Sequence, residues 1–302
     1  METLEQIQET LGEINKRTPD LCLAKFVDFV LHHSPGTEFP LPARDTSALR
    51  MDWAACVLPR HGEDAHFGHA EAGFVGVADG VGGCREHGVD ASAFARELMA
   101  SALAKVKLAA KPRHLRPENV LERAYETAVI NGTPGASTAV ILSIDRTTLR
   151  WAYIGDSAFA VLRDGKIVCR SVQQQHYFNC PYQLRSDSHG DRLTKAKVGE
   201  MSAMRDGDVV VVGTDGLFDN MRDDQLERAV LVGVELGFSP KNMADVVAGI
   251  AYQISEDKCA DSPFSREFTK EYGEECCGGK KDASSHTLSL RIYDLGFGVC
   301  LV

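Results

Sequence analysis

The stretch FVGVADGVGG, residues 74–83, contains the pattern that decides the fold. Its first half, FVGVA, is short and apolar, as a buried strand is. Asp79 follows at once, and Gly80 allows the chain to turn sharply where the strand ends. A single Asp-Gly pair after a strand is usually only a turn, so the pattern indicates a site only if it recurs along the chain.

Acidic residues stand at the ends of several other apolar runs. They are Glu63 and Asp64 after residues 54–58, Asp156 after 149–154, Asp215 and Asp219 after 209–212, and Asp282 before 287–293. If these strands share a sheet edge, the carboxylates converge there and repel one another, which costs free energy or shifts their pKa values. Divalent cations remove that cost. Ligands that are all oxygen favour Mg²⁺ or Mn²⁺ over zinc.

The order of the runs predicts an α+β fold. Strand-like segments with short turns follow one another at 138–144, 149–154, 159–163 and 167–171, which favours antiparallel pairing. Helical periodicity marks residues 90–107, 118–130 and 243–254. We therefore expect helices that cover antiparallel sheets, and not a Rossmann-type alternation of strands and helices.

Composition limits the classes of partner. The 302 residues include 33 basic and 43 acidic side chains, which gives a net charge of −10. This charge argues against a nucleic-acid partner, because a polyanion would be repelled. It leaves a phosphorylated substrate open, because metal ions can supply positive charge. No run of about 18 apolar residues occurs, so no membrane span is expected.

The first fifty residues differ from the rest in character. Apolar residues recur at helical spacing at Leu4, Ile7, Leu11 and Ile14, and residues 34–50 contain three prolines. We therefore predict an N-terminal helical extension and linker over 1–50 and a core domain over 51–302. The acidic N-terminus lacks the basic character of a transit peptide, which favours a cytoplasmic location.

Five ordered segments resemble the metal-dependent serine/threonine protein phosphatases of type 2C. They read GEDA at 62–65, FVGVADGVGG at 74–83, GASTA at 135–139, GDS at 155–157 and TDGLFDN at 214–220. The run QQHYFNCPYQL at 174–184 is similar to the subgroup of the T-cell-activation phosphatase seven homologues, several of which are mitochondrial. The resemblance covers residues 51–293. It implies a four-layer α-β-β-α sandwich, in which two antiparallel sheets flanked by helices carry a binuclear metal centre at one end.

The resemblance also implies roles for single residues. Asp79 would bridge two Mg²⁺ or Mn²⁺ ions, and the carbonyl of Gly80 would bind one of them. Asp215 and Asp282 would complete the other ion's ligands. Arg60 is the candidate phosphate-binding arginine.

Four further acidic residues have supporting roles in the same comparison. Glu63 and Asp64 would hold water molecules bound to the metal. Asp156 and Asp219 match positions that, with Asp215, can hold a third, weaker ion. The implied reaction is hydrolysis of phosphoserine or phosphothreonine on a protein substrate by a metal-activated water, catalysed by a monomer.

Two departures from the family pattern leave an alternative open. Val81 stands where many members have a histidine proposed as the general acid, so a metal-bound water or one of His61, His66 and His176 would have to protonate the leaving group. Residues 278–287 read GGKKDASSHT, where the family reads Gly-Gly-Lys-x-Asp-Asp-Ile-Thr. These changes motivate a non-catalytic regulatory or binding module on the same fold. The intact acids Asp79, Asp156, Asp215 and Asp219 favour the enzyme.

Overall fold

A computed structural model describes residues 49–58, 62–187, 189–281 and 285–293. The predicted N-terminal extension and linker lie almost entirely outside these ranges. The strands within them are β1 (Arg50–Leu58), β2 (Ala65–His69), β3 (Phe74–Ala78), β4 (Ala136–Ser137), β5 (Ala139–Asp145), β6 (Thr148–Ile154), β7 (Ala158–Arg163), β8 (Lys166–Arg170), β9 (Gln175–Tyr177), β10 (Cys180–Pro181), β11 (Leu184–Arg185), β12 (Lys197–Met201), β13 (Val209–Gly213) and β14 (Ser285–Tyr293). The α-helices are α1 (Ala91–Leu108), α2 (Pro117–Ile130), α3 (Asp215–Phe218), α4 (Asp223–Glu235), α5 (Pro240–Glu256) and α6 (Pro263–Tyr272).

Two five-stranded sheets form the centre of the molecule. One has the strand order β1-β14-β13-β7-β8 and the other β12-β6-β5-β3-β2. Neighbouring strands pair antiparallel in both sheets. Helix α5 packs on β1 and β14, while α1 packs on β2 and β3 and α2 on β5 and β6. These contacts confirm the predicted α-β-β-α sandwich.

Strand β13 begins with four consecutive valines, and all of its residues are buried. Val210 and Val212 face the core between the two sheets, where they join Val75, Leu142 and Phe159. Val209 and Val211 face the opposite way, into the layer formed with the helices on that side. Because a strand alternates its side chains between two faces, a strand covered on both sides needs an apolar residue at every position.

The side chain of Asp90 caps the N-terminus of helix α1. The Asp90 carboxylate accepts hydrogen bonds from the Ser92 backbone N–H at 3.0 Å and from its hydroxyl at 2.5 Å. The buried face of the helix includes Phe94, Leu98 and Ala102 and packs on the second sheet. No helix in the described ranges combines the length and the hydropathy that crossing a bilayer requires.

Candidate metal centre

The register of the strands brings the acidic residues to one end of the sandwich. Ala65, the first residue of β2, pairs with Ala78, the last of β3, so Asp64 and Asp79 lie side by side. In the other sheet, the end of β13 pairs with the start of β7 through Gly213 and Ala158. The chain crosses from β6 in one sheet to β7 in the other at this end, through Asp156. The pairing therefore gathers residues that lie far apart in sequence.

These side chains surround a cavity of about 350 Å³. Its lining includes Glu63, Asp79, Gly80, Asp156, Asp215 and Lys280. Burial raises the pKa of the Asp79 carboxyl well above its ordinary value, and the nearby carboxylates Asp64, Asp215 and Asp156 raise that pKa further. The structure thus brings Asp79 and Asp215 to one cavity, at an electrostatic cost that a cation would remove.

The GAST motif fixes the position of Asp79. The Thr138 hydroxyl accepts a hydrogen bond from the Asp79 backbone N–H at 3.2 Å, and the Thr138 backbone N–H donates to the Asp79 carbonyl at 2.9 Å. The Ser137 hydroxyl donates to the same carbonyl at 2.8 Å. The backbone of this acidic residue is therefore held at three points, independently of any charge on its carboxyl.

Gly80 occupies a space that no side chain can share. A Cβ atom at this position would lie 2.1 Å from the Ala91 carbonyl oxygen and 2.7 Å from the Glu63 carbonyl oxygen. Both neighbours are backbone atoms, which cannot rotate away. The close approach brings the backbone of Gly80 into the lining of the acidic cavity, where its carbonyl can serve as an oxygen ligand.

We expect Gly80→Ala to lower the free energy of unfolding by about 1–3 kcal/mol, because the added methyl group forces the backbone to move. Chemical denaturation at two temperatures measures this change. Gly83→Ala is the matched control, because a Cβ there meets nothing within 4 Å and should leave the stability close to that of the wild type. Equal stability of the two variants would contradict the close packing at Gly80.

Glu63 and Asp64 are held by different partners. The buried Asp64 carboxylate accepts a hydrogen bond from the Thr214 hydroxyl at 3.0 Å, which ties the start of β2 to the end of β13 in the opposite sheet. The Glu63 carboxylate forms an ion pair with Arg85 at 2.7 Å. Sequence analysis did not select Arg85, although it lies only two residues after the glycine pair of the FVGVADGVGG stretch.

Asp156 has a carboxyl oxygen whose hydrogen-bonding capacity the described residues leave unsatisfied. Its side chain is buried, one oxygen accepts a hydrogen bond from the Gln175 amide at 3.3 Å, and the other, Oδ1, has no hydrogen-bond partner within the described residues. Burial, together with the nearby Asp215 and Asp219, raises the pKa of Asp156 to about 8. A buried carboxylate oxygen without a donor is costly, and a bound cation would satisfy it.

Lys280 bridges the two remaining carboxylates. Its ammonium nitrogen lies 2.5 Å from Asp215 Oδ2 and 2.8 Å from Asp219 Oδ2. Burial opposes the charge on the lysine, but the two aspartates outweigh this effect and hold the pKa of Lys280 well above its ordinary value. The sequence motif that contains Lys280 was recognised, but the lysine itself was not assigned to the site.

The glutamine run belongs to the support of the acidic residues. Gln173 donates to the Asp156 carbonyl at 3.2 Å and to the Asp219 carboxylate at 3.3 Å. Gln175 donates to Asp156, as described above, and Gln174 accepts from the Gly155 backbone N–H at 3.3 Å. Gln175, from the segment that marks the subgroup in sequence, and the preceding Gln173 thus contact carboxylates of the site.

Two predicted site residues, Arg60 and Asp282, lie outside the described residues, and so does His61. The other histidine candidates are engaged elsewhere. His176 forms a 2.9 Å contact with the Asp191 carboxylate and packs against Tyr182, which supports a structural role. His66 packs against Trp53, and burial lowers the pKa of its imidazole. Neither lines the acidic cavity.

The residues present fit a magnesium-type or manganese-type site. Within the described ranges, no three acidic, histidine or cysteine side chains are spaced to hold one ion by themselves. This arrangement differs from a closed structural site. Mg²⁺ keeps several waters and takes only one or two carboxylates, so the cavity, the Gly80 backbone and the unsatisfied Asp156 oxygen suit it.

Comparison with known proteins shows the family of this chain. The profile of the protein phosphatase 2C family matches residues 60–246. The chain belongs to this family. It is therefore a metal-dependent serine/threonine protein phosphatase, which confirms the predicted activity and enzyme class. The matched range lies within the core domain that the sequence predicts over 51–302.

Individual relatives support this assignment. The phosphatase is 48% identical over 307 residues to the Oryza sativa subsp. japonica protein "Putative protein phosphatase 2C 23", across 93% of this chain and 94% of that one. It is 37% identical over 248 residues to the human protein phosphatase PTC7 homolog, across 76% of this chain and 79% of that one. The second match confirms the predicted subgroup.

A solved structure agrees with the fold. The photosystem II phosphatase PBCP superposes with a TM-score of 0.69 and 29% sequence identity, across 82% of this chain and 100% of that one. The catalytic domain of the serine/threonine phosphatase PstP matches at 16% identity with a TM-score of 0.56, across 82% of this chain and 100% of that one, which concerns the fold alone.

Proposed function

We propose that the phosphatase hydrolyses phosphoserine and phosphothreonine at the cavity around Asp79, with two Mg²⁺ or Mn²⁺ ions held there. The observation that carries this proposal is the convergence of Asp79, Asp156 and Asp215 on one cavity with a raised pKa at Asp79. The PstP catalytic domain, which shares the fold, was solved with two manganese ions. Two ions are therefore the number that we assign to this centre.

Some residues of the site would bind the ions, and others hold those ligands in position. Asp79 would contact both ions, with the Gly80 carbonyl, Asp215 and the predicted ligand Asp282 completing their protein ligands. The ions supply Lewis acidity and an activated water when they are bound. Thr138 and Ser137 hold the Asp79 backbone in place, so its carboxylate needs little reorganisation during the reaction. Arg85 restrains the Glu63 carboxylate at the cavity wall.

Metal removal tests the proposal directly. We expect hydrolysis of a phosphothreonine peptide in the presence of Mn²⁺, complete loss of this activity with a chelator, and recovery when Mn²⁺ is added back in excess. An aryl phosphate, which needs no peptide recognition, should follow the same pattern. Activity that persists at full rate in the chelator would contradict a metal centre, and absence of activity on both substrates would favour the non-catalytic module.

The affinity for Mn²⁺ is expected to rise with pH. The pKa of Asp156 at about 8 keeps this carboxyl largely protonated near neutral pH in the metal-free protein, and the pKa of Asp79 is shifted in the same direction. Metal binding must displace those protons, so binding tightens as the pH rises from about 6 towards about 8 and releases protons to the buffer. Isothermal titration calorimetry in two buffers with different ionisation enthalpies measures the protons released. If metal binding took up protons, or exchanged no protons with the buffer, the raised pKa of Asp79 and Asp156 would be contradicted.

A further inference from the structure

The Asp215–Asp219 carboxylate pair already holds a cation that belongs to the chain. The Lys280 ammonium nitrogen contacts one oxygen of each aspartate, at 2.5 and 2.8 Å, and only 12% of the lysine side chain is exposed. The same nitrogen lies 5.6 Å from the centre of the Phe264 ring. Lysine is seldom buried unless it is paired, so this burial depends on the two carboxylates.

The backbone that carries Lys280 is anchored on both sides. The Asn220 side chain accepts from the Lys280 backbone N–H at 2.7 Å and donates to its carbonyl at 3.3 Å. Gly279 packs against the end of α5, where a Cβ would lie 2.1 Å from the Ile254 carbonyl oxygen. The Gly279 backbone N–H also donates to the Asp257 carbonyl at 3.0 Å. The lysine is therefore delivered to the aspartates by fixed backbone and does not reach them from a free loop.

An ion and this ammonium cannot occupy the same place. Mg²⁺ binds carboxylate oxygens at about 2.1 Å, so an ion bound to both of these oxygens would lie within about 5 Å of the ammonium nitrogen. Two positive charges so close together would repel each other strongly in a buried position. The position between Asp215 and Asp219 can therefore be filled by the lysine or by a metal, but not by both.

We propose that Lys280 is a built-in cation that replaces the third divalent ion at Asp215 and Asp219, an assignment that rests on the proposed two-ion centre. Asp156 remains available to that centre through its unpartnered Oδ1 oxygen. A tethered ammonium is present at any metal concentration. The charge at this position is thus set by the sequence, and the phosphatase takes up two ions with no additional weak one.

Counting bound Mn²⁺ by equilibrium dialysis with elemental analysis, up to the millimolar range, tests this assignment without relying on activity. The wild type should bind two ions per chain. The Lys280→Met variant should bind one additional ion, weakly, because loss of the ammonium group frees the carboxylates of Asp215 and Asp219. Lys280→Arg keeps the positive charge and should stay at two. Lys258→Met, a replacement of an exposed lysine outside the cavity, is the matched control and should also stay at two.

Asp219→Asn provides a second measurement that needs no lysine variant. In the wild-type background this change should leave the count at two, because Asp219 contacts the ammonium and not an ion. In the Lys280→Met background it should remove the added ion. Circular dichroism confirms that each variant is folded before its ions are counted.

The outcomes separate this assignment from the proposed function. A wild type that binds a third, weak ion, and loses it with Asp219→Asn, overturns the role of Lys280 and leaves the metal centre intact. An equal ion count in Lys280→Met and the wild type would also overturn the role of Lys280 and leave the metal centre intact. A wild type that binds no Mn²⁺ at all contradicts the centre itself, and the assignment of Lys280 with it.

Discussion

Replacing Asp79 with asparagine is expected to lower kcat/KM for a phosphothreonine peptide by about three orders of magnitude. Asparagine has nearly the same shape, but it removes the negative charge that would be shared between two ions. Loss of about 4 kcal/mol of stabilisation of the transition state corresponds to this thousandfold effect. Steady-state kinetics at saturating Mn²⁺ measures it, with the wild type assayed in parallel.

The same variant should fold at least as well as the wild type when no metal is present. The backbone of Asp79 is held by Thr138 and Ser137, whose hydrogen bonds do not involve the replaced carboxyl. The substitution also removes an ionisable group whose charged form is disfavoured by burial and by the neighbouring carboxylates. A melting temperature equal to or above that of the metal-free wild type would therefore accompany the lost activity.

Asp164→Asn is the matched control for this prediction. Asp164 lies in the exposed turn between β7 and β8 with a φ of +52°, a conformation that asparagine also tolerates. Its activity should equal that of the wild type. If Asp79→Asn retained more than about a tenth of the wild-type rate, a loss of less than 1.4 kcal/mol, the role of Asp79 as the shared ligand would be wrong.

The sequence was sufficient for the part of the site that lies at strand ends. A strand that is buried on both faces has a continuous apolar sequence. Its end can therefore be recognised in the sequence where the first polar residues follow the apolar run. This is the case for Asp79 after β3 and for Asp215 after β13. The two strands lie in different sheets, so the meeting of their ends follows from the face-to-face packing of the sheets and not from strand pairing. The positions of the two residues at strand ends could be read from the local pattern, whereas their convergence in one site was implied by the family resemblance.

Lys280 could not be assigned in the same way. Its partners Asp215 and Asp219 lie more than sixty residues away, and lysine in a glycine-rich segment is usually an exposed residue. Gln173 and Gln175 present the same difficulty, because an amide side chain has no periodicity that indicates which carboxylate it will orient. These contacts follow from the packing of the two sheets, which a local pattern does not contain.

Two regular elements, strand β12 and helix α4, were not expected from the sequence. Strand β12 (Lys197–Met201) lies at a sheet edge, where exposed residues blur the alternation of polar and apolar side chains. Helix α4 has a helical pattern that was open to detection, since Leu226, Ala229, Val230 and Gly233 are buried on one face. The role of the N-terminal extension and the monomeric state stay predictions.

The second large effect is expected far from the metal centre, at the other end of β13. Asp208 is 1% exposed, and its carboxylate accepts two hydrogen bonds from the Arg163 guanidinium at 2.8 and 2.7 Å and one from the Arg205 backbone N–H at 2.8 Å. Asp208→Ala removes all three bonds and leaves a positive charge without its partner. We expect the free energy of unfolding to fall by about 3 kcal/mol, as is typical when a buried pair loses one member.

Asp187→Ala is a control of the same geometry on the surface. Asp187 also accepts two bonds from an arginine, Arg185, at 3.0 and 2.8 Å, and one from the His189 backbone N–H at 2.9 Å, but it is 45% exposed. Because exposed pairs contribute about 0–1 kcal/mol, its variant should unfold close to the wild type in urea.

The five residues of β13, about 17 Å of extended chain, lie between Asp208 and Asp215. At a temperature where Asp208→Ala is fully folded, its kcat/KM should therefore match the wild type, which distinguishes lost stability from lost catalysis. Similar urea midpoints for the two variants would show that burial does not strengthen the Asp208 pair.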